Sequence, residues 1–459
     1  MTTRSNNTPF WLFLIGLFLI LVCNSLLTEG MFFDGVTYAS ISRNMAEGQG
    51  TFWNPSYTQT LYPEFRQHPP LALGMEALVF KAFGDHLWVE KAYSVLTFLL
   101  SCLFIALIWQ RTTNNLRWAW LSLLLWIAMP LVTWSATNNL LENTMSVFVL
   151  LSVYLMIFSY QINNKLWLIL AGVSLFLAFL SKGFTGLFPL VFPLLYCIFD
   201  EKRRWIQGLI DTLLLIVTLA LLSGAMFMVF PSSLAYLKDY INLQVIGGGL
   251  HEATVSSRFY IVFNLLQQLM IPYVIAMTLV ICKTKSKGNK KVFEFPSDKS
   301  WFYTFLILGL AGVLPIMVSV KQRDFYMLAA LPFFALACGH LTLAMINTLV
   351  PRITPKVYKW MTLGTCCIVL LGLVLNVVHI GKYGRDEALI EKVKAQIAAA
   401  NGKTLIEITP EEYTHWAKHA YYMRYGKISL RPTEPSNVRL PQCDSSTTEQ
   451  LTTEQLTTE

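Results

Sequence analysis

Long apolar segments separated by short polar loops are the feature that most constrains the fold of this chain. Of its 459 residues, 54% are hydrophobic and only 14% are charged. A run of about 20 apolar residues is long enough to cross a bilayer as a helix, in which every backbone polar group is satisfied internally. The sequence therefore predicts an all-α polytopic membrane protein.

Eleven segments have the length and composition of membrane-spanning helices. In chain order they are Pro9–Leu27, Val89–Trp109, Trp118–Trp134, Leu140–Tyr160, Leu166–Leu180, Phe184–Phe199, Ile206–Phe230, Phe259–Cys282, Trp301–Val320, Phe325–Ile346 and Val357–Ile380. The first segment is not followed by a small-x-small cleavage site, which favours an uncleaved anchor over a signal peptide.

The tripeptide Ser181-Lys182-Gly183 decides how many spans are predicted, because it divides an apolar stretch from Leu166 to Phe199. A single helix over that stretch would be roughly 51 Å long, whereas the hydrocarbon core is about 30 Å thick. It would also bury the lysine near the bilayer centre, which is costly. We therefore predict two shorter helices, with Lys182 at the membrane surface between them.

The loop charges indicate an orientation. With eleven spans and a cytoplasmic N-terminus, the strongly basic short loops all fall inside, among them Lys202–Arg204, Lys283–Lys291 and Arg352–Lys359. This agrees with the positive-inside rule and explains the net charge of +8 without a nucleic-acid partner. The ionisable residues at the other span ends then gather on the outer side; they include Asp34, His68, Glu142, Lys182, Lys321 and Arg323.

A polar segment from Met31 to Leu73 follows the first span and forms an outer loop. It contains the tripeptide Phe33-Asp34-Gly35. A carboxylate placed just beyond a span can stay ionised while it faces a lipid-borne substrate, so Asp34 is a candidate for chemistry at the interface. The alternative is that Asp34 caps a helix that begins near Val36.

The segment after the last span is predicted to be a small α/β appendage. Its composition indicates a helix over Asp386–Ala400, a strand over Thr404–Ile408 and a helix over Pro410–Tyr425. The polar repeats near the end cannot bury enough apolar surface to become ordered. The predicted domains are residues 1–380 in the membrane, the outer appendage of residues 381–431 and a disordered tail of residues 432–459.

The motifs resemble those of the polytopic, lipid-phosphosugar-dependent glycosyltransferases of the GT-C class, especially bacterial aminoarabinose transferases and protein O-mannosyltransferases. The residues that carry the resemblance are Phe33–Tyr38, Asn44–Trp53, His68–Leu71, Ser181–Gly183 with Pro189, and Lys321–Pro332. It covers about residues 1–380. Two positions depart from the family, which often has a second acidic residue in place of Gly35 and, in the aminoarabinose transferases, Lys in place of His68.

The resemblance implies a glycosyltransferase in the bacterial inner membrane that moves a sugar from a polyprenyl-phosphate donor to lipid A, another glycolipid, a glycan or a protein. Its active site and its C-terminus face the periplasm. Such a reaction needs a base that activates the acceptor and cations that hold the departing phosphate. The family places its catalytic acidic residue at Asp34.

Further site residues are assigned from the same chemistry. The candidates for contact with the donor phosphate are Lys182, Lys321, Arg323 and His68, and the candidates for supporting roles are Glu142, Tyr38 and Arg66. No cofactor is expected, and the sequence has no His or Cys ligand set for a metal, although Asp34 and Glu142 could share a divalent cation.

Each assignment has a structural alternative. The cations at span ends could snorkel toward lipid headgroups, Glu142 could be a helix N-terminal charge favoured by the dipole, and His68 could simply precede a rigid Pro-Pro turn. The alternative function is a transporter or flippase of lipid-linked sugars. Transporters, however, commonly bind their substrates near the bilayer midplane, whereas the ionisable groups of this chain lie at the outer side.

The orientation predicts that Lys182 and the tail after Gly381 face outward and that Lys285 faces inward. In a background without the native cysteines, a single cysteine at position 382 should react with an impermeant thiol reagent in intact cells. A cysteine at position 285 should react only after the cells are permeabilised. Labelling of position 285 in intact cells would contradict the orientation.

Overall fold

The computed structural model describes residues 7–200, 203–248, 254–287 and 299–434. The chain divides into two compact units. The first unit comprises Met1–Thr28, Gln67–Ala72 and Leu87–Lys382, and the second comprises Glu29–Arg66, Leu73–His86 and Tyr383–Glu459. Most of the predicted tail, residues 435–459, lies outside the described part of the chain.

The elements of the first unit are helices, numbered in chain order; the third and fourth helices of the chain lie mainly in the second unit. The elements of the first unit are α1 (Thr8–Phe18), continued by the π-helical Leu19–Cys23 and α2 (Asn24–Leu26), α5 (Val89–Thr113), the 3-10 helix Leu116–Trp118, α6 (Ala119–Ile127), α7 (Pro130–Ser135), α8 (Leu141–Ile162), α9 (Leu166–Lys182), the 3-10 helix Phe184–Val191, α10 (Phe192–Phe199), α11 (Trp205–Val229), α12 (Ser232–Tyr240), the π-helical Ile241–Gly248, α13 (Tyr260–Lys287), α14 (Ser300–Val313), the 3-10 helices Leu314–Val318 and Asp324–Ala330, α15 (Leu331–Leu349), the 3-10 helix Val350–Arg352 and α16 (Pro355–His379).

Eight helices in the described residues are long and apolar enough to cross a membrane. They are Thr8–Leu26, Val89–Thr113, Leu141–Ile162, Trp205–Val229, Tyr260–Leu279, Ser300–Val318, Asp324–Arg352 and Pro355–His379. Three shorter apolar helices accompany them: Leu116–Ile127, Leu166–Lys182 and Phe184–Phe199. Each of the eleven predicted segments therefore has a helix at its place, and the all-α membrane fold is confirmed. The number of membrane crossings stays a prediction.

Burial separates the central helices of this unit from the peripheral ones. In the most apolar 18-residue stretch of each helix, 78% of the residues are buried in Asp324–Arg352 and 67% in Leu141–Ile162. The buried share is only 17% in Trp205–Val229 and 11% in Pro355–His379. The peripheral helices expose large aliphatic side chains such as Leu221. These faces suit contact with lipid tails, since a helix in a bilayer needs no polar outer face.

The second unit joins the first outer loop to the C-terminal appendage. Its elements are α3 (Phe33–Ala46), β1 (Gly50–Thr51), β2 (Asn54–Pro55), α4 (Leu71–Phe83, the first two residues of which belong to the first unit), α17 (Glu387–Ala399), β3 (Leu405–Ile408), α18 (Pro410–Tyr413), α19 (Trp416–Gly426) and β4 (Ser429–Pro432). Strands β1 and β2 are antiparallel, and β3 and β4 are parallel, with Leu405 opposite Ser429 and Ile408 opposite Pro432.

The appendage has the predicted α/β composition but differs in detail. The predicted helix Pro410–Tyr425 is two helices, because Thr409 caps a first turn that ends at Tyr413 and a second helix begins at Trp416. The strand Ser429–Pro432 was not predicted, and it includes Pro432, where we expected disorder to begin. Helix α3 lies in the segment Met31–Leu73, which we expected to be an outer loop, and α4 begins at the end of that segment.

A buried arginine connects the loop to the appendage within this unit. The Arg43 side chain is 1% exposed, and its guanidinium donates to the carbonyl oxygens of Met423 (3.0 Å) and Arg424 (3.2 Å). It also lies 3.7 Å from Asp85, which pairs with Arg424 at 2.6 Å and with Lys427 at 3.3 Å. Burial opposes the ionisation of Asp85, but the Arg424, Arg43 and Lys427 charges outweigh it and hold the pKa of Asp85 below its ordinary value.

This pKa predicts a pH-dependent stability. A carboxyl whose pKa is lower in the folded chain stabilises the fold above its unfolded pKa of about 3.9, and the contribution is lost as pH falls through the folded pKa. We expect Asp85→Asn to lower the melting temperature in detergent at pH 6, and we expect the difference from wild type to shrink as pH approaches 3.

An exposed carboxyl of the same unit serves as the control. Glu407 lies on β3 with its side chain exposed, so Glu407→Gln should leave the melting temperature within about 1 °C of wild type, as for most surface substitutions. A difference between wild type and Asp85→Asn that does not change with pH would contradict the proposed ionisation.

Candidate functional site

The helix ends at Lys182, where the sequence predicted a break between two helices. Helix α9 ends at Lys182, and Gly183 adopts φ = 101°, a conformation that favours glycine. A Cβ at this position would overlap the Tyr240 hydroxyl, which lies 3.4 Å from the Lys182 carbonyl oxygen. Burial raises the pKa of Tyr240 to about 12, so its hydroxyl stays protonated and can donate. The glycine thus lets the next helix begin while a tyrosine packs against the turn.

The Lys182 side chain is buried and paired with Glu142. The ammonium lies 3.1 Å from the Glu142 carboxylate, and the two side chains are 8% and 1% exposed. The side chain therefore points into the protein, toward its carboxylate partner, and its predicted place at the membrane surface stays a prediction. Glu142 is also in the first turn of α8, where the helix dipole favours a negative charge. The Tyr326 ring centroid lies 5.9 Å from the ammonium.

A cavity of about 410 Å³ lies beside this ion pair, entirely within the first unit. Three basic side chains line it: His68, Lys182 and Lys321. The polar lining is completed by Thr185, Tyr240, Gln244, Ser319 and Tyr326, and the apolar lining by Phe184, Phe188, Val245, Ala311, Gly312, Pro315 and Ile316. A mostly apolar cavity of this size with a few convergent charged groups is typical of a site for a small ligand or headgroup.

His68 contributes a neutral imidazole to this cavity. Its backbone carbonyl accepts a hydrogen bond from the Tyr236 hydroxyl at 2.6 Å, and the two prolines that follow are buried. Burial, together with the positive charges of Lys182 and Lys321, holds the pKa of His68 well below its ordinary value. At neutral pH the ring therefore offers one N–H donor and one nitrogen acceptor, without a third positive charge.

Lys321 is held by a hydrogen-bonded turn. The Ser319 hydroxyl donates to the Lys321 carbonyl (3.0 Å) and accepts from its N–H (3.1 Å). The next residue, Gln322, is fully buried; its amide donates to the carbonyls of Arg258 and Ser319 and accepts from the Ile261 N–H. These bonds fix the backbone on which the lysine is mounted.

Arg323, the remaining predicted phosphate contact, is half-buried two residues further along the chain and is not part of this lining. It precedes the 3-10 helix Asp324–Ala330, and its carbonyl accepts from the Tyr326 N–H at 3.1 Å. Its backbone therefore helps to orient Tyr326, which does line the cavity.

The other predicted site residues belong to the second unit. Asp34 is 9% exposed and is the second residue of α3, whose N-cap is Phe32 without a side-chain cap bond. The capping alternative is therefore wrong, because the helix begins at Phe33 rather than near Val36. Tyr38 is buried one helical turn later, and Arg66 pairs with the exposed Glu64 at 2.7 Å.

The structure thus brings His68, Glu142, Lys182 and Lys321 together in one unit and places Asp34, Tyr38 and Arg66 in the other. Sequence reasoning missed Tyr236 and Tyr240, which hold His68 and the turn after Lys182. No local pattern marks them, since their partners are distant in the chain. Among the residues that the structure describes, no group of three or more His, Cys, Asp or Glu side chains is placed to hold a metal ion.

Part of this chain is similar to known glycosyltransferases. Residues 67–227, which include His68, Glu142 and Lys182, match the model of the dolichyl-phosphate-mannose-protein mannosyltransferase family. An undecaprenyl phosphate-α-4-amino-4-deoxy-L-arabinose arabinosyl transferase of Pseudomonas fluorescens is 28% identical over 360 residues, which are 76% of this chain and 61% of that protein. The aligned part thus spans less than two thirds of that curated relative.

Two solved structures share the fold. ArnT from Cupriavidus metallidurans bound to undecaprenyl phosphate matches with a TM-score of 0.53 and 13% identity, over 91% of this chain and 73% of that chain. Its apo state matches with a TM-score of 0.53 and 16% identity, over 87% and 72%. The chain has the ArnT fold. Its resemblance to the GT-C membrane glycosyltransferases is confirmed, and the apolar helices together with this similarity identify an integral protein of the bacterial inner membrane.

The buried ion pair predicts how substitutions at Lys182 act. Lys182→Ala leaves the Glu142 carboxylate in the interior without its cation, which should cost about 3–5 kcal/mol and lower the melting temperature in detergent. The double substitution Lys182→Met with Glu142→Gln leaves no charge behind and should recover most of that loss.

The control is an exposed ion pair. Lys392 lies 3.0 Å from Glu412 and is 54% exposed, so Lys392→Met should change stability by less than about 1 kcal/mol. A double variant no more stable than Lys182→Ala would show that the ion pair does not account for the loss.

Proposed function

We propose that this protein is a glycosyltransferase that moves a sugar from a polyprenyl-phosphate donor to an envelope acceptor at the periplasmic face of the membrane. The observation that carries the proposal is the cavity in which Lys182 and Lys321 flank a neutral His68 against apolar walls. Two fixed ammonium groups suit a phosphate, and the aromatic and aliphatic lining suits an isoprenoid chain.

The protein itself offsets part of the positive charge of the cavity. Glu142 pairs with Lys182 at 3.1 Å, which lowers the cost of holding a buried cation before the donor arrives. A phosphate that enters would face Lys182, Lys321 and the His68 N–H, and Arg323 is a further cation two residues from Lys321. We assign these four residues to the donor phosphate and Glu142 to support of Lys182.

The reaction requires one proton acceptor. The bond between the sugar C1 and the phosphate oxygen breaks, with its electron pair leaving on the phosphate, and a bond forms between C1 and the acceptor oxygen or nitrogen. The acceptor proton goes to the Asp34 carboxylate. The cations stabilise the departing phosphate, so no separate general acid is needed.

The second unit supports this assignment of the base. Asp34 lies in the first turn of α3, where the helix dipole favours a negative charge. Tyr38 is four residues later and therefore on the same helix face. We assign Tyr38 and Arg66 to supporting roles near the base.

The names of the similar proteins suggest which donors to try. They mention undecaprenyl phosphate aminoarabinose and dolichyl phosphate mannose, so we propose a single sugar on a polyprenyl monophosphate. Mass spectrometry of envelope glycolipids and glycoproteins, with and without the protein, should reveal one sugar mass lost from one class of acceptor. Unchanged envelope components under conditions of expression would contradict the proposed function.

Asp34→Asn is the sharpest test of the base. The amide keeps the size of the carboxylate but cannot take a proton, so turnover should fall about 100-fold or more. Binding of undecaprenyl phosphate to purified protein in lipid nanodiscs should stay within about twofold of wild type, because the phosphate is assigned to other residues.

The matched control is Lys182→Met with Glu142→Gln, the pair that keeps the interior neutral. It should weaken undecaprenyl phosphate binding about 10-fold or more, the value of a charge-assisted contact. An Asp34→Asn enzyme with normal turnover would remove Asp34 from the mechanism.

A further inference from the structure

A hydrogen-bond relay connects the C-terminal appendage to the peptide that precedes Asp34. The Trp416 indole N–H donates to the Thr37 hydroxyl at 2.9 Å, and this hydroxyl donates to the Phe33 carbonyl at 2.9 Å. Both side chains are buried. The Phe33 carbonyl belongs to the peptide bond whose nitrogen is that of Asp34, so the relay ends on the backbone that carries the carboxylate.

The indole is itself held in place. The Trp416 ring stacks with Tyr57 at a centroid distance of 6.1 Å and lies 5.9 Å from Tyr62. The Tyr57 hydroxyl is also 3.4 Å from the Thr37 hydroxyl, which can accept from both donors. These ring contacts restrict the indole, so its N–H stays close to the Thr37 hydroxyl.

Helix α19, which begins at Trp416, makes a second contact just before α3. The Tyr421 hydroxyl lies 3.0 Å from the Met31 carbonyl and 2.8 Å from the Asp386 carboxylate, and it accepts weakly from the Met31 N–H at 3.4 Å. Its single proton can go to only one of the two oxygens, and the carboxylate is the stronger acceptor. The Arg43 guanidinium also binds two carbonyls of α19. Helix α19 therefore contacts α3 at three places: just before its start, in its first turn and near its end.

These contacts act on the first turn of α3, which carries the Asp34 carboxylate. A threonine hydroxyl inside a helix that bonds the carbonyl four residues earlier alters the local turn. A second donor on that hydroxyl polarises it and makes the bond stronger. Since a reacting group must be held to within about 0.5 Å of its productive position, the direction of the first turn of α3 matters for any chemistry at Asp34.

We propose that Trp416 is a positioning residue for Asp34, acting through Thr37 and the Phe33 carbonyl, and that the appendage thereby sets the geometry of the active site. The inference rests on the proposed role of Asp34 as the base. It gives the C-terminal appendage a function in the reaction rather than in binding the donor.

The test measures transfer in proteoliposomes, with the sugar identified by mass spectrometry supplied as its undecaprenyl phosphate ester. Trp416→Phe keeps the aromatic ring and removes the N–H, and Thr37→Val removes the hydroxyl while keeping the shape. Each should lower kcat about 10-fold, the scale expected for a small misplacement, with the donor KM within about twofold of wild type. Thr37→Ser keeps the hydroxyl and should restore most of the turnover.

Tyr422→Phe is the matched control. It removes a buried hydroxyl from the same helix, but that hydroxyl bonds Gln396 of α17 rather than α3, so kcat should stay within about twofold. In the double variant Trp416→Phe with Thr37→Val, kcat should be no lower than in Thr37→Val alone, because the relay is already broken. Independent, multiplying losses would overturn the relay.

The outcomes separate this inference from the proposed function. Normal kcat in Trp416→Phe, with Asp34→Asn inactive, would overturn the relay and leave the base assignment standing. Full activity in Asp34→Asn would overturn both. Hydrogen exchange needs no substrate: amides of residues 33–37 should exchange faster in Trp416→Phe than in Tyr422→Phe, and equal exchange would also overturn the relay.

Discussion

The ion pair of Lys182 and Glu142 is the interaction on which the first unit's cavity depends. A lysine ammonium in the interior of a membrane protein is costly unless a carboxylate accompanies it. The pair requires α9 to end at Lys182, facing the first turn of α8, and this end requires Gly183 with its positive φ and the close approach of Tyr240. One electrostatic requirement thus fixes a helix end, a glycine and a tyrosine.

Burial and two neighbouring lysines determine the state of His68. Burial, together with the charges of Lys182 and Lys321, keeps the imidazole neutral, so the cavity wall carries less positive charge than its three basic residues suggest. Under the proposed function, a bound phosphate offsets the lysine charges and removes part of the reason for the low pKa.

The sequence was informative wherever the signal is local. Apolar runs and the break at Ser181–Gly183 predicted helices to within a few residues, because the cost of polar groups in hydrocarbon acts on each segment separately. Pairings between distant residues left no such signal: Glu142 precedes Lys182 by 40 positions, and Trp416 lies 379 positions after Thr37. The segment Met31–Leu73 was expected to be an outer loop, and its polar composition gave no sign of the partners that α3 finds. Ser42 and Asn44 bond residues of the second unit close to them in the chain, whereas Thr37 and Arg43 bond the appendage.

Helix α3 depends on the appendage for partners of two of its buried polar side chains. Helix α3 has 14 residues, of which 12 are buried, including Asp34, Thr37, Ser40, Ser42, Arg43 and Asn44. A buried polar group without a partner costs about 1–3 kcal/mol, and the partners of Thr37 and Arg43 on α19 come from the last described part of the chain. Because such long-range contacts form late, the loop that carries Asp34 can reach its final structure only after the C-terminal helices have been made. The second unit therefore combines segments that are far apart in the chain, and the candidate base acquires its surroundings only when both segments are in place.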